Sequence, residues 1–509
     1  MILPAAKQAG ACLHLTSLPG KYGCGEIGAQ ARNFVDALVS MNLRVWQFLP
    51  AGPTGYGNSP YQSLSTFAGN ELLIDSENLV ELGLVRSDEL RPLMNLPQDR
   101  IDFASLIPLK NALLAHAADA FPRRANAQLR QELDAFNEAN DRFWLRDYAL
   151  YRVLKGLHGE QSWIDWGSEF RLKSPRALSQ AASDHGALLD RTRILQFLFA
   201  RQWAELRRYA DSRGVQLFGD LPIYIAMDSA DSWAHPELLL TGQDGRPAFV
   251  AGVPPDYFSA DGQLWGNPLY DWPYHAANDY AWWVERLRHA SAMADMVRID
   301  HFRGFESYWA VPAAAANART GRWEQGPADR IFDAIRAALG DLPVIAEDLG
   351  IITPAVEQLR ERQGIPGMRV LQFDVAGEYF DIDKITENSV CYTGTHDNDT
   401  TLGWFNNLAR EAQPDQDIAD IRTQVLARTG GTAATIHQDL IRLAFSSAAR
   451  LAMVPMQDYL GLDSVARMNI PGTVADNWRW RLLQAQLTPQ LAESVCRMTA
   501  LAGRDTAMG

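Results

Sequence analysis

Cysteine is scarce in this chain of 509 residues, which contains four of them. They are Cys12, Cys24, Cys391 and Cys496, and they form neither a Cys-x-x-Cys pair nor a Cys/His spacing that would bind a metal. This pattern excludes a dense disulfide framework and gives no reason to expect a structural metal site. Four isolated cysteines are typical of reduced thiols, so we expect a cytoplasmic protein.

Long apolar segments are also missing from the sequence. Even the apolar stretch from Leu443 to Met456 is interrupted by Arg450, whereas a membrane-spanning helix needs about 20 apolar residues. The first residues, MILPAAKQAG, lack the charged start and the long apolar run of a signal peptide. We therefore expect a soluble protein that has no membrane partner.

Basic residues are the minority among the charges. The chain has 47 Lys and Arg against 61 Asp and Glu, which gives a net charge of −14. This excess argues against nucleic acid or an anionic membrane surface as the main partner. Aromatic residues, in contrast, are plentiful, with 15 Trp and 15 Tyr. Aromatic surfaces and carboxylates suit a neutral ligand rich in hydroxyl groups, such as a sugar, although composition alone favours a large core with an acidic, solvated surface.

Short apolar segments recur along the chain and predict eight buried strands. Segments with helical periodicity, such as Ala29–Met41 and Asp329–Leu339, separate most of them. This alternation predicts an α/β fold, a (β/α)8 TIM-type barrel, with an open doubly wound sheet as the alternative. The predicted strands are Cys12–Thr16, Val45–Pro50, Val215–Leu221, Ala294–Asp300, Val344–Asp348, Arg369–Asp374, Val390–His396 and Ala452–Asp458.

Two of the intervals between predicted strands are unusually long. Residues 79–212 are rich in Ala, Leu, Arg and Glu and predict a mostly helical inserted subdomain. Residues 226–275 predict an insertion at the strand-end face. Within this insertion, a long loop is predicted over Ala251–Trp272, because Gly, Pro and aromatic residues dominate there. We expect residues 1–509 to form a single catalytic barrel that carries these large inserted subdomains.

Charged and polar residues stand at the ends of several predicted strands. The carboxyl ends of the strands of a parallel barrel meet on one face, where active sites lie. Any one of these residues could be an ordinary helix cap or surface turn, but buried carboxylates are costly, so the convergence of four of them indicates a functional site. The residues are Asp220, Arg298, Asp300, Glu347, His396 and Asp397.

A pair of carboxyl groups at this face suits the transfer of glycosyl groups. One carboxylate attacks the anomeric carbon while a protonated carboxyl donates a proton to the leaving oxygen. Retaining enzymes hold the two groups about 5–5.5 Å apart, and neighbouring strands lie about 4.7–4.9 Å apart. Asp300 and Glu347 belong to successive predicted strands, so they are the candidates for this pair.

The residues around Asp300 predict how the two carboxyl groups differ. In a regular strand Arg298 shares a face with Asp300, and its guanidinium would keep Asp300 ionised and oriented. His301 would point to the other face and is predicted to be a packing residue. We expect the negative charges of Asp300 and Asp397 to raise the pKa of Glu347 and keep it protonated.

A series of motifs, in order along nearly the whole chain, carries a family resemblance. They are LHLTSLPG, GYGNSPYQ (Gly55–Gln62), GDLPIY, PPDYF followed by GQLWGNPLYDW, RIDHFRG, AEDLG, THDNDT, and RMNIPGT followed by NWRWR. Through them the sequence resembles the amylomaltases, also called 4-alpha-glucanotransferases or disproportionating enzymes, of the alpha-amylase superfamily. The resemblance implies a TIM-type barrel with inserted subdomains and without a carboxyl-terminal β-sandwich domain.

The resemblance also implies roles for individual residues. Asp300 would be the nucleophile, Glu347 the acid/base, and Asp397 a third carboxylate that holds sugar hydroxyls and stabilises the transition state. Six further residues would bind substrate: Tyr56 as the platform under the sugar ring beside the scissile bond, Asp220, Arg298 and His396 as groups that grip this ring, and Trp265 and Asn469 as walls of the cleft.

These implications amount to a retaining 4-alpha-glucanotransferase. It would cut an alpha-1,4 bond of a maltooligosaccharide or glucan donor and pass the glycosyl group to the 4-hydroxyl of an acceptor glucan. No metal or organic cofactor is expected, because two carboxyl groups complete the chemistry. The alternatives are an alpha-amylase-like hydrolase that uses the same carboxylates and, from another class, a glycan-binding protein that has lost catalysis. The sequence leaves the oligomeric state and the chain-length preference open.

Overall fold

The computed structural model describes residues 3–255, 260–341, 343–377, 379–411 and 418–505. Eight of its strands belong to one parallel sheet and four to a smaller antiparallel sheet. In chain order the strands are β1 (Gln8–Cys12), β2 (Val45–Gln47), β3 (Gln216–Leu221), β4 (Phe249–Val253), β5 (Gln263–Pro268), β6 (Met296–Ile299), β7 (Ser307–Pro312), β8 (Arg322–Gln325), β9 (Val344–Ala346), β10 (Gly367–Val370), β11 (Ser389–Tyr392) and β12 (Leu451–Pro455).

The large sheet closes on itself. Its order is β10-β11-β12-β1-β2-β3-β6-β9, and all of its neighbouring strands are parallel. The two end strands are joined where the Ala346 amide donates a hydrogen bond to the Pro366 carbonyl, 2.8 Å away. The predicted (β/α)8 TIM-type barrel is therefore confirmed, and the open doubly wound sheet is excluded.

The inside of the barrel is filled by apolar side chains from alternate strand positions. Met296 of β6 belongs to the inner cluster, together with Phe218 of β3 and Ile345 of β9. Val297 belongs instead to the cluster under the surrounding helices. Because side chains alternate along a strand, Arg298 follows Met296 onto the inner side at the carboxyl end of the barrel. The packing of β6 thus determines where the charged residues of the site lie.

Three predicted strands include residues that form helical turns instead. One of them is Ala452–Asp458, because β12 ends at Pro455 and Met456–Tyr459 is a helical turn. The predicted strand Cys12–Thr16 is wrong, since β1 ends at Cys12 and Leu15–Ser17 forms a 3-10 turn. The predicted strand Arg369–Asp374 is also misplaced, because β10 ends at Val370 and Leu371–Asp374 is a helical turn. These errors in the strand bounds have the same physical origin: a short apolar segment does not reveal which of its residues pair with neighbouring strands.

The segment between β2 and β3 is helical over much of its length. The assignment of residues 79–212 as a separate subdomain remains a prediction. No helix among the described residues is both long and apolar enough to cross a membrane. The helices of this segment are Ser76–Glu81, Arg91–Met94, Phe103–Arg124, Ala127–Asn140, the π-helix Asp141–Leu145, Arg146–Leu157, Ser168–Arg171, Pro175–Asp184 and Gly186–Ser212.

The remaining α-helices surround the barrel or follow its strands. Between Met456 and Arg504 the described residues contain helices and turns but no strand. The helices that surround the barrel or follow its strands are Ala29–Ser40, Ala230–Ala234, Trp272–Ala277, Ala281–Met293, Asp329–Leu339, Pro354–Arg362, Leu371–Asp374, Thr401–Glu411, Ile418–Thr429, Ile436–Ser446, Met456–Tyr459 and Pro489–Leu501.

The prediction of a loop over Ala251–Trp272 needs correction. Strands β4 and β5 cover much of it and pair in an antiparallel sheet of order β5-β4-β7-β8. The Gly, Asn and Pro residues of β5 read as turn residues in the sequence, but pairing with β4 stabilises them as a strand. Residues 256–259 of the predicted loop lie outside the described residues. The treatment of 226–275 as one insertion remains a prediction.

A glycine in the barrel wall provides a test of its packing. A Cβ added at Gly10 would lie 2.5 Å from the Val45 carbonyl oxygen and 2.6 Å from Met453 Sδ. We expect Gly10→Ala to lower the free energy of unfolding by about 1–3 kcal/mol, because the barrel must deform to admit the methyl group. Denaturant unfolding of both proteins measures the difference.

Gly186→Ala is the matched control for this substitution. Gly186 is the first residue of a helix, and no described atom lies within 4 Å of its added Cβ. This change should raise stability by about 0.4–1 kcal/mol by restricting the unfolded chain. Equal effects of the two substitutions would contradict the proposed packing at Gly10.

Candidate active site

Arg298 lies between two carboxylates at the carboxyl end of the barrel. Strands β3 and β6 pair so that Asp220 is the direct neighbour of Arg298. The Arg298 Nε lies 3.4 Å from Asp220 Oδ1, and its Nη2 donates a hydrogen bond to Asp300 Oδ1. Arg298 and Asp220 are buried, whereas the Asp300 side chain is 29% exposed. The guanidinium therefore anchors a carboxylate that opens toward solvent.

Burial and neighbouring charges shift the protonation of this group of residues. Burial raises the pKa of Asp220 to about 7, with a further upward contribution from Asp300 and downward ones from Arg298 and Tyr61. Burial alone would lower the pKa of Arg298, but Asp220, Tyr61 and Asp300 raise it well above its ordinary value. Arg298 is therefore a permanent cation, and it offsets part of the cost of burying the carboxylates.

Glu347 follows β9, the strand next to β6, and is held by backbone amides. Its Oε2 accepts a hydrogen bond from the His301 amide at 2.7 Å, and its Oε1 accepts one from the Leu349 amide at 2.8 Å. Burial is the largest cause that raises the pKa of Glu347 to about 7, and the charge of Asp300 is second. Arg298 and the two amides act in the opposite direction. The raised pKa thus depends more on burial than on the repulsion expected from the sequence.

His301 has a backbone conformation that the sequence does not reveal. Its φ of 50° lies in the left-handed region, so β6 does not continue through it as a regular strand. This turn presents its amide to Glu347, and such unusual conformations are concentrated at functional sites. The ring packs edge-on against Trp265 with centroids 4.8 Å apart. Burial lowers the pKa of His301 to about 4, so its ring is neutral near pH 7.

A second group of residues follows β11. The His396 Nε2 lies 3.4 Å from Asp397 Oδ2, and the Asn469 amide nitrogen donates to Asp397 Oδ1 at 2.6 Å. Arg467 donates from Nη2 to the Asp397 carbonyl, also at 2.6 Å. His396 is buried, which lowers its pKa, whereas the Asp397 side chain is 47% exposed. The carboxylate is thus oriented by its neighbours and open on one side.

Tyr61 connects the two groups. Its hydroxyl donates a hydrogen bond to Asp220 Oδ2 at 2.7 Å, and its ring stacks on His396 with centroids 5.2 Å apart and an interplanar angle of 15°. The ring of Trp478 lies 6.0 Å from that of His396. Tyr56, which the sequence predicts as the ring platform, is instead 76% exposed. The aromatic side chain that the structure brings to the carboxylates is Tyr61.

The sequence does not single out Tyr61, although this residue lies in one of the motifs that carry the family resemblance. The segment Gly55–Gln62 contains both tyrosines, five residues apart, and nothing in the local pattern shows which one turns inward. Trp478 and Arg467 were also missed as single residues, although both lie in the late motifs. Only the three-dimensional contacts with His396 and Asp397 distinguish them.

Trp265 occupies strand β5 beside the catalytic face. Its ring contacts that of His301, the residue after Asp300, and lies 6.3 Å from the ring of Tyr224. The indole nitrogen donates to the Gln263 side chain at 3.1 Å. The side chain is partly exposed, so a ring face near the nucleophile candidate is accessible. Its contact with a sugar remains a prediction.

No cluster of three or more His, Cys, Asp or Glu side chains suited to a metal ion occurs in the described ranges. The chemistry offered by the described site is that of carboxyl groups. It combines a carboxyl group anchored by a guanidinium, Asp300, with a partly buried carboxyl group, Glu347, whose pKa is raised to about 7. This combination can act as a nucleophile with a general acid/base.

Comparisons with known proteins agree along the whole chain. A family model described as 4-alpha-glucanotransferase matches residues 13–487. The 4-alpha-glucanotransferase of Thermus thermophilus is 45% identical over 94% of this chain and 96% of its own, and that of Synechocystis is 44% identical over 97% of both. The amylomaltase of Streptococcus agalactiae, solved in complex with acarbose, has a TM-score of 0.93 and 34% identity over 98% of this chain and 99% of that one. The chain belongs to the 4-alpha-glucanotransferase family.

Proposed function

We propose that this enzyme transfers alpha-1,4-linked glucosyl or maltosyl segments between glucans with retention of configuration, and that Asp300 and Glu347 carry out the two halves of the reaction. The observation that carries this assignment is the contrast between the two carboxyl groups. Asp300 is partly exposed and bonded to a permanent cation. Glu347 is partly buried, accepts hydrogen bonds from two backbone amides instead of a cation, and has a pKa raised to about 7.

In the first half of the reaction, Asp300 attacks the anomeric carbon of the donor. The Arg298 guanidinium donates a hydrogen bond to Asp300 and directs one of its oxygens. Protonated Glu347 donates its proton to the departing glycosidic oxygen, and a covalent glycosyl-enzyme forms. The amides of His301 and Leu349 hold the Glu347 side chain in one orientation during this step.

In the second half, Glu347 acts as a base. Its carboxylate removes the proton from the 4-hydroxyl of an acceptor glucan, which then attacks the anomeric carbon and releases Asp300. A pKa near 7 suits both roles, because the group can give and take a proton at neutral pH. Two carboxyl groups complete the cycle, so the proposal includes no metal or organic cofactor.

The surrounding residues would hold the sugar beside the scissile bond. Acarbose in the relative from Streptococcus agalactiae supports an alpha-glucan oligosaccharide as the ligand. We assign the ring platform to Tyr61 rather than Tyr56, because Tyr61 contacts both Asp220 and His396. Sugar hydroxyls would bind to Asp220, Arg298, His396, Asp397 and Asn469, and Trp265 would form a wall of the cleft. The reduced cysteines expected from the sequence support a cytoplasmic location.

Incubation with pure maltotriose tests transfer against hydrolysis. We expect glucose together with a ladder of longer glucans and little gain in reducing ends, because each cleavage is followed by transfer to another sugar. Thin-layer chromatography and a reducing-end assay on the same samples measure both. A rapid gain in reducing ends without longer products would show an alpha-amylase-like hydrolase, and no reaction at all would favour a glycan-binding protein.

Two variants separate the roles of the carboxyl groups. A glycosyl fluoride donor has a leaving group that needs no proton. Glu347→Gln should therefore still release fluoride and accumulate a covalent adduct on Asp300, whereas Asp300→Asn should release almost none. Fluoride release and intact-protein mass spectrometry follow the two events. If both variants release fluoride equally slowly, the division of roles between Asp300 and Glu347 is wrong.

A further inference from the structure

A small cavity lies beside the candidate active site, where the ends of β1, β11 and β12 approach each other. Its volume of about 20 Å³ is enough for one water molecule. Its walls include His14, His396, Asn398, Gln457, Arg467 and Trp480. Polar groups that follow three strand ends thus line, together with apolar residues such as Leu49 and Met468, a space the size of a single water molecule.

His14 lines this cavity, and its ring carries a nitrogen that lacks a hydrogen bond from the described residues. The residue follows β1, where the Leu13 amide still bonds to the Gln47 carbonyl at 2.9 Å, and it begins the turn in which the Ser17 amide bonds to the His14 carbonyl. Its side chain is enclosed, with 5% of the residue exposed. No protein group among the described residues forms a hydrogen bond with its Nδ1. A buried ring nitrogen of this kind is normally paired with protein or with ordered water.

The opposite walls of the cavity belong to the site itself. His396 lines the cavity and also stacks on Tyr61. Arg467 lines it and donates from Nε to the Asn469 carbonyl at 2.8 Å and from Nη2 to the Asp397 carbonyl at 2.6 Å. A molecule bound in the cavity would therefore contact the side chains that set the positions of His396, Asp397 and Asn469.

We propose that one ordered water molecule binds in this cavity to the His14 ring and bridges it to the wall formed by His396 and Arg467, which makes His14 a positioning residue for the donor sugar. This inference rests on the proposed function, because His396, Asp397 and Asn469 are the groups assigned to grip that sugar. Water suits the place because it can donate or accept, whichever ring nitrogen of His14 carries the proton.

The same surroundings argue against a direct catalytic role for His14. Burial, followed by the charge of His396, lowers the pKa of His14 to about 3. The ring is therefore neutral throughout the neutral range and does not exchange protons there. None of the hydrogen bonds and ion pairs found among the described residues joins His14 to Asp300 or Glu347. The role open to His14 is to hold neighbouring groups in place.

Three variants of the full-length enzyme test the proposal. His14→Leu removes both ring nitrogens, whereas His14→Asn keeps a polar side chain at this position. Thr16→Val is the matched control, because Thr16 Oγ1 is also buried without a hydrogen bond from the described residues but Thr16 does not line the cavity. For each protein, kcat and KM with maltotriose and the melting temperature are measured, and a high-resolution crystal structure shows whether water is present.

We expect His14→Leu to lower kcat/KM by about tenfold or more, because small displacements of positioning groups have large effects on rate. Its melting temperature should stay within a few degrees of that of the parent enzyme. His14→Asn should recover most of the activity, and Thr16→Val should change neither kcat nor KM appreciably. The crystal structure of the parent enzyme should show water in the cavity within hydrogen-bonding distance of a ring nitrogen of His14.

Several results would overturn the proposal. An empty cavity at high resolution would do so, as would a stable His14→Leu enzyme with unchanged kcat/KM. Equal losses in His14→Leu and His14→Asn, accompanied by a lower melting temperature, would show that His14 only supports the fold. Failure of the parent enzyme to extend maltotriose would instead contradict the proposed function, and the crystallographic test of the water would remain valid in that case.

Discussion

The burial of Arg298 between Asp220 and Asp300 is the interaction on which the site depends. A guanidinium removed from water at a strand end is stable only if carboxylates surround it, and the carboxylates need the guanidinium in turn. Its position follows from β6, whose apolar residue Met296 packs inside the barrel and brings Arg298 onto the same side two residues later. The packing of the barrel thus determines where the charges of the active site lie.

The same cation explains how two similar carboxyl groups can act differently. Asp300 receives a direct hydrogen bond from Arg298 and remains partly exposed. Glu347 is partly buried and receives hydrogen bonds from two backbone amides, and burial together with the charge of Asp300 raises its pKa to about 7. The left-handed turn at His301 supplies one of these amides directly after the nucleophile candidate. A single strand end therefore orients both reacting groups.

Much of the barrel and of the charged site was predictable, because strand ends repeat a simple pattern. Apolar segments that end in Asp, Arg or Glu identified Asp220, Arg298, Asp300 and Glu347 without any structure. The choice between Tyr56 and Tyr61 was not predictable, since burial depends on contacts far away in sequence. The pairing of β5 with β4 was not predictable for the same reason. The turn-forming residues of β5 are held in a strand by pairing with β4, which the local sequence does not show.

The Arg298→Lys variant tests most directly whether the guanidinium contributes to catalysis and not only to stability. Lysine keeps the charge but loses the planar group that can hold Asp220 and Asp300 together. Turnover with maltotriose and the melting temperature should be measured on the same preparation. The account predicts a folded enzyme with a melting temperature near that of the parent and a turnover lower by about a hundredfold. An unstable variant whose folded fraction turns over at nearly the parental rate would contradict it.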